Sequence, residues 1–194
     1  MKVTIGPIAL FGTSADPPTF GHQALLKELS RLFPKVVTWA SDNPMKNHYA
    51  SLSQRHQLLQ VLVQDLDIPH LELNQQLSRP QTIRTLEIAM RFWPQEELIL
   101  IIGSDLTAQI PAWHQSEVLL QKARLGIAPR EGWPLSTNDI KNLQSMGAKV
   151  DLLPLTIPAS ASSKIRSQLA VAEIPDAILP IILKNNLYGI TNIQ

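Results

Sequence analysis

Gly12, Asp16, Thr19, Gly21 and His22 fall within one short stretch, GTSADPPTFGH, directly after an apolar run. Residues 8–22 read as a buried strand, a turn of small residues and prolines, and a Gly-His pair that opens a helix. A helix start leaves backbone N–H groups without intrahelical partners and carries partial positive charge, so a strand-loop-helix junction rimmed by Gly21 and His22 suits phosphate. A second group of this kind lies near the C-terminus, in Ser160-Ala161-Ser162-Ser163-Lys164-Ile165-Arg166. There, capping hydroxyls, free N–H groups and a guanidinium one turn in would converge on an anion.

Between these two groups stand several residues with a chemical and a plain reading. Lys46 follows a Pro-containing turn and Arg55 begins a helix; they are either cations for a second phosphate-bearing ligand or solvated surface. Thr82 and Thr85 open a helix behind Pro80, as caps or as ligand contacts. Gly103 and Asp105 end the run Ile101-Ile102-Gly103-Ser104-Asp105. Gly103 lets the backbone approach a flat ligand, and Asp105 can accept hydrogen bonds from ribose hydroxyls or an exocyclic amine, although Gly-Ser-Asp also serves as a helix cap. Trp113 suits stacking and burial equally. Arg130 follows another apolar run, either to stack on a base and hold phosphate or to sit in a solvated turn. Asp16 fits best as a residue that fixes the Pro17-Pro18 turn.

The stretch GTSADPPTFGH resembles, without a gap, the signature of the nucleotidylyltransferase superfamily, roughly G-G-T-F-D-P-x-[HT]-x-G-H. Thr13 stands where a second Gly is usual, and Ser14-Ala15 where Thr-Phe is usual. Pro44, Lys46 and Arg55 look like the P-x-x-P-x-K loop and helix Arg of the nicotinate-nucleotide adenylyltransferases. Thr82, Thr85 and Leu86 match their S-Y-T-x-x-T-L stretch. Gly103, Asp105 and Trp113 match I-I-G-A-D followed by Trp, and Arg130 matches V-x-R-x-G. Ser162, Ser163 and Arg166 match the second superfamily signature, I-S-S-T-x-I-R, with Ala161 in place of a Ser. The tail from Ile174-Pro175 to Leu187-Tyr188 resembles the ending of the same enzymes and is expected to pack a last helix without carrying chemistry.

The resemblance implies adenylyl transfer from ATP to nicotinate mononucleotide, giving nicotinate adenine dinucleotide and pyrophosphate. His22, Thr19 and Arg166 would be catalytic. Gly12, Thr13, Ser14, Gly21, Gly103, Asp105, Arg130, Ser162 and Ser163 would bind ATP; Lys46, Arg55, Thr82 and Trp113 would bind the mononucleotide. Mg²⁺ would come in on the substrate phosphates, with no metal held by the protein. Alternatives are nicotinamide mononucleotide or phosphopantetheine as acceptor, or a non-catalytic nucleotide-binding protein. A dehydrogenase is disfavoured, since no G-x-G-x-x-G follows a strand.

These residues need elements to hold them. Apolar runs at 4–11, 35–40, 70–74, 98–102, 124–128 and 150–153 alternate with segments of helical period, such as Leu25, Leu26, Leu29, Leu32 and Leu58, Leu59, Leu62, Leu66. That pattern predicts an α/β, Rossmann-like doubly wound parallel sheet flanked by helices, the nucleotidylyltransferase fold, as one domain over 1–194 with a C-terminal helical part at about 160–194. Ligands then sit beyond the carboxyl ends of the strands.

Composition narrows the partners. Seventeen Lys and Arg against sixteen Asp and Glu leave a net charge of +1, so no overall field favours nucleic acid or a membrane surface, and a bound polyanion must be small and locally held. The absence of cysteine excludes a disulfide framework, Cys-ligated zinc and a thiol nucleophile, and fits a cytoplasmic protein. No apolar run reaches membrane-span length, and Gly6-Pro7 interrupts the apolar run that a signal peptide would need. Oligomeric state is left open by the sequence.

Overall fold

The computed structural model describes residues 6–159, 162–168 and 170–191. Six strands, β1 (Ile8–Thr13), β2 (Lys35–Ala40), β3 (Leu71–Leu73), β4 (Leu98–Gly103), β5 (Arg124–Ala128) and β6 (Lys149–Leu152), form one sheet in the order β3-β2-β1-β4-β5-β6. Every pairing is parallel. Helices α1 (Phe20–Leu32), α2 (Leu52–Leu66), α3 (Thr82–Phe92), α4 (Ser116–Lys122), α5 (Thr137–Ser145), α6 (Ser162–Gln168) and α7 (Leu179–Lys184) lie between and after the strands. A long 3₁₀ stretch, Ser104–Ala112, follows β4.

The strands read as near-continuous apolar runs because both faces of the sheet are covered, and their alternation sorts side chains into two cores. Ala9, Phe11, Val36, Ile99 and Ile101 pack on one face with Leu25, Leu26, Leu29, Leu58, Leu59 and Leu62 from α1 and α2. Ile8, Leu10, Val37, Leu98, Leu100, Ile102 and Leu125 pack on the other with Ile83, Leu86 and Ala89 from α3 and Leu119 and Leu120 from α4. Helices on both faces of a parallel sheet make this the doubly wound architecture expected. Strand order reverses across β1 and β4, so the crevice beyond their carboxyl ends is the switch point where such sheets bind ligands.

Several boundaries differ from the expectation. The first strand runs Ile8–Thr13, two residues past Phe11, because Gly12 and Thr13 stay in register opposite Trp39 and Ala40; positions 4 and 5 lie outside the described residues. Gly12 is fixed by that pairing partner, since a Cβ there would stand 2.6 Å from the Trp39 ring. The third strand is shorter, Leu71–Leu73, and the sixth begins one residue earlier, at Lys149. Leu32, expected on the buried face of its helix, is 40 % exposed, because it is the last residue of α1 and the chain turns inward only at Phe33.

Candidate active site

β1 delivers its carboxyl end into a turn whose hydrogen bonds aim His22. Thr19 is the N-cap of α1 and His22 its third residue, so the imidazole reaches back to the cap as Glu or Gln does in a capping box. The Thr19 backbone N–H donates to Nδ1 of His22 at 3.1 Å, and Thr19 Oγ1 lies 2.9 Å from the same nitrogen. A backbone N–H can only donate, so Nδ1 is the acceptor and the neutral ring carries its proton on Nε2. Nε2 lies 2.9 Å from Thr13 Oγ1 and donates to it. Burial lowers the imidazole pKa to about 4, with the charges of Arg130 and Lys46 adding to the effect. His22 is therefore a neutral, pre-aimed donor at pH 7.

A cavity of about 660 Å³, within the size range of small-molecule sites, opens at the carboxyl ends of β1 and β4. Of the residues singled out from sequence, Gly12, Thr13, Ser14, Gly21, His22, Lys46, Thr82, Gly103, Asp105, Trp113, Arg130, Ser162, Ser163 and Arg166 line it. The two anion-suited segments, a whole chain apart in sequence, thus meet around one space. Thr19 and Arg55 do not line it.

Thr19 is fully buried, and its hydroxyl and N–H are both turned to His22. Expected among the catalytic residues, it faces the histidine and not the cavity, and orients that ring. Arg55, expected to bind the mononucleotide, is 1 % exposed. Its Nη1 donates to the carbonyls of Ser14 and Ser41, both at 2.8 Å, and its Nε to the carbonyl of Ala50 at 3.2 Å. A guanidinium spent on three carbonyls is a clamp between the turn after β1 and the loop of residues 41–51.

That loop carries Lys46. It starts where the Ser41 N–H donates to the carbonyl of Thr13, and Asn43 shapes its tip by accepting from the N–H groups of Met45 and Lys46. Among the described residues Lys46 makes no ion pair. Desolvation lowers its pKa, Asp105 works against that, and Arg130 and Arg166 add to it. An ammonium short of counter-charge beside two guanidinium groups is suited to an incoming polyanion.

Asp16 ties the same loop from the other side. Its Oδ2 accepts from the Tyr49 N–H at 2.7 Å and its Oδ1 from the Ala50 N–H at 3.1 Å and the Tyr188 hydroxyl at 3.0 Å. Its role thus extends from its own turn to the loop and the tail. Arg166 donates from Nη1 to the Asp16 carbonyl, and Ser162 from Oγ to the Pro17 carbonyl at 2.8 Å, which fastens α6 against the first signature. The Ala161 departure from the second signature lies outside the described residues, as does Ser160.

Across the cavity, the loops after β4 and β5 are joined. Ser104 Oγ accepts from the Arg130 N–H at 3.0 Å and donates to the Trp133 carbonyl at 2.9 Å. The Arg130 guanidinium pairs with Asp105 at 2.9 Å and stands 4.5 Å from the Trp133 ring centroid. A Cβ at Gly103 would meet the Asp105 carboxylate at 2.4 Å, so the carboxylate would have to leave its present place. Gln81, Thr82 and Thr85 at the start of α3 form another part of the wall, with no side-chain cap on that helix. Trp113 both lines the cavity and packs on the core beside α3 and α4. Trp39, His48, Ser104 and Trp133 are further members of the neighbourhood that sequence reasoning missed. For Trp133, an aromatic three residues after a strand-end Arg was the available signal; Trp39 looked like any apolar strand residue.

Asp16 and Asp105 are the carboxylates that line the cavity, and both are engaged in the contacts above. Among the described residues no group of three or more His, Asp or Glu could hold a metal ion. No helix among them is long and apolar enough to cross a membrane.

Comparison with known proteins agrees with this geometry. Residues 10–171 match the cytidylyltransferase-like family. The chain is 35 % identical over 196 residues to a protein of Synechocystis sp. named "Probable nicotinate-nucleotide adenylyltransferase", covering 93 % of this chain and 98 % of that one. A protein of the same name from Gemmatimonas aurantiaca is 27 % identical over 195 residues, 93 % and 92 % of the two chains. In structure the chain is similar to the Plasmodium falciparum nicotinic acid mononucleotide adenylyltransferase solved with NaAD, with a TM-score of 0.79 over 95 % of this chain and 98 % of that one, at 19 % identity. With both signatures facing one cavity at the switch point of the sheet, the chain belongs to the cytidylyltransferase-like family and, within it, to the nicotinate-nucleotide adenylyltransferases.

Proposed function

We propose that this protein transfers the adenylyl group of ATP to nicotinate mononucleotide, and that the cavity beyond β1 and β4 holds both substrates. One observation carries the reading: His22, Lys46, Arg130 and Arg166 surround a single space that also contains Trp113 and the start of α3. Cationic groups and an aromatic side chain lining one space fit a triphosphate and a pyridine ring together.

In this reading a 5′-phosphate oxygen of the mononucleotide attacks the α phosphorus of ATP. A P–O bond forms there, the bond from the α phosphorus to the bridging oxygen breaks, and pyrophosphate leaves with the electron pair. The nucleophile is already anionic at pH 7, so no protein base is required. Catalysis consists of holding two anions in line and stabilising the charge that spreads over the transferring phosphoryl and pyrophosphate. His22 contributes its Nε2 proton, which turns from Thr13 to a phosphate oxygen, while Thr19 keeps the ring in the tautomer that has that proton to give. Arg166 and Lys46 contribute charge to the phosphates. Gly103, Asp105 and Arg130 take the adenosine side; Thr82 and Trp113 take the pyridine side. Gly12, Thr13, Ser14 and Gly21 supply the floor beneath the triphosphate, and Ser162 and Ser163 its far wall. Magnesium belongs to the substrate, as the Mg²⁺ complex of ATP, held by phosphate oxygens and water. A cytoplasmic site of action goes with these substrates.

A single in-line displacement inverts configuration at the α phosphorus. With nicotinate mononucleotide and ATP made chiral at that phosphorus, the expected product is the nicotinate dinucleotide, identified by mass, with inverted configuration. Net retention would require a covalent adenylyl-enzyme and would contradict the reading.

A further inference from the structure

Tyr188 is a C-terminal residue expected to pack and nothing more, yet its hydroxyl ends on the first signature. It is 2 % exposed and donates to Asp16 Oδ1 at 3.0 Å across the full length of the chain. Burial, then the nearby Asp16 carboxylate, push the phenol pKa upward, so the hydroxyl stays a donor. The backbone on both sides of this bond is unusual. Tyr188 sits at φ 60° and Ala15, next to Asp16, at φ 47°, left-handed conformations that residues with a Cβ adopt only where their surroundings impose them. The Tyr188 ring also lies 5.2 Å from that of Tyr49, whose N–H Asp16 accepts.

Asp16 thus joins four segments. Its carboxylate takes the N–H groups of Tyr49 and Ala50, at the far end of the loop that carries Lys46, and the Tyr188 hydroxyl; Arg166 stands 4.0 Å from Oδ2 and donates to the Asp16 carbonyl. A carboxylate held on three sides has one orientation; with the hydroxyl removed, Oδ1 keeps only Ala50 and can turn toward Arg166. We infer that Tyr188 is a positioning residue of the adenylyl transfer: by fixing Asp16, it sets the loop bearing Lys46 and the guanidinium of Arg166 in register with the transferring phosphoryl. This rests on the adenylyltransferase reading.

The test is Tyr188→Phe, which keeps the ring and removes the hydroxyl, with Asp16→Asn and the double variant, assayed far below their Tm. Misplacing charged groups by a fraction of an ångström acts on the transition state. For Tyr188→Phe the expected result is kcat down about tenfold, KM for both substrates within about twofold, and Tm within a few degrees of wild type. Because Tyr188 acts through Asp16, the double variant should lose no more than Asp16→Asn alone. If Asp16→Asn does not fold, Tyr188→Phe decides by itself. A Tyr188→Phe enzyme with wild-type kcat, or losses that multiply in the double variant, overturns the inference. Failure of the underlying reading is separate: there the wild-type enzyme itself makes no dinucleotide.

Discussion

A histidine whose Nδ1 is taken by the backbone N–H of Thr19 has one proton left to offer, and in this protein Nε2 gives it to Thr13 Oγ1 at the edge of the cavity. His22→Ala removes that donor while leaving the floor of the site, so kcat should fall roughly 10²- to 10³-fold with a much smaller change in KM for ATP, the usual consequence of losing one transition-state donor. Steady-state kinetics with near wild-type turnover would remove His22 from the chemistry. The same environment makes His22 a pH-sensitive element of stability. Its folded pKa, about 4, lies below that of an unfolded imidazole, near 6.5, so protons favour the unfolded chain between these values. Its contribution is complete above pH 6.5 and is lost as pH falls from there toward 4. Thermal unfolding across that window should show a smaller drop in Tm for His22→Asn than for wild type; equal drops would mean that the fold does not hold His22 neutral. The identity of His22 was legible in the signature, but its tautomer was not, because that depends on which group of Thr19 faces the ring.

At the scale of elements, the parallel strands were legible as apolar runs because both faces of the sheet are covered, and the helices as leucine stripes. Their ends were less so. β1 outlasts its apolar run because Gly12 and Thr13 keep pairing with β2, and Leu32 is apolar without being buried because it closes its helix. Arg55 shows the same limit for function: the sequence displays a guanidinium near a ligand loop, and only the fold reveals that three of its N–H donors go to backbone carbonyls. Arg55→Ala should therefore act on stability, by about 2–4 kcal/mol in urea unfolding, since it removes a buried side chain that ties three backbone carbonyls together. Arg55→Lys should recover only part of that, because one ammonium lacks the fork that meets several acceptors. Variants of wild-type stability with a greatly raised KM for the mononucleotide would return Arg55 to the ligand.

Over the whole molecule, a near-neutral chain concentrates positive charge where the sheet changes direction. The order β3-β2-β1-β4-β5-β6 brings the ends of β1 and β4 side by side, β2 supplies the loop with Lys46, β5 the loop with Arg130, and α6 returns Arg166 to the turn where the chain's first signature lies. The class of fold and the meeting of the two signatures could be anticipated from spacing and resemblance. The fastening of the tail to Asp16 could not, since nothing local to Tyr188 marks a partner 172 residues away. Whether this cavity joins ATP to a pyridine mononucleotide bearing a carboxylate can be read from pyrophosphate release. ATP and Mg²⁺ would be given separately with nicotinate mononucleotide, nicotinamide mononucleotide and phosphopantetheine. Rapid release is expected with nicotinate mononucleotide, and at least roughly tenfold lower kcat/KM with each of the others; fastest release with another acceptor, or none with any of the three, would rule out this assignment of the acceptor.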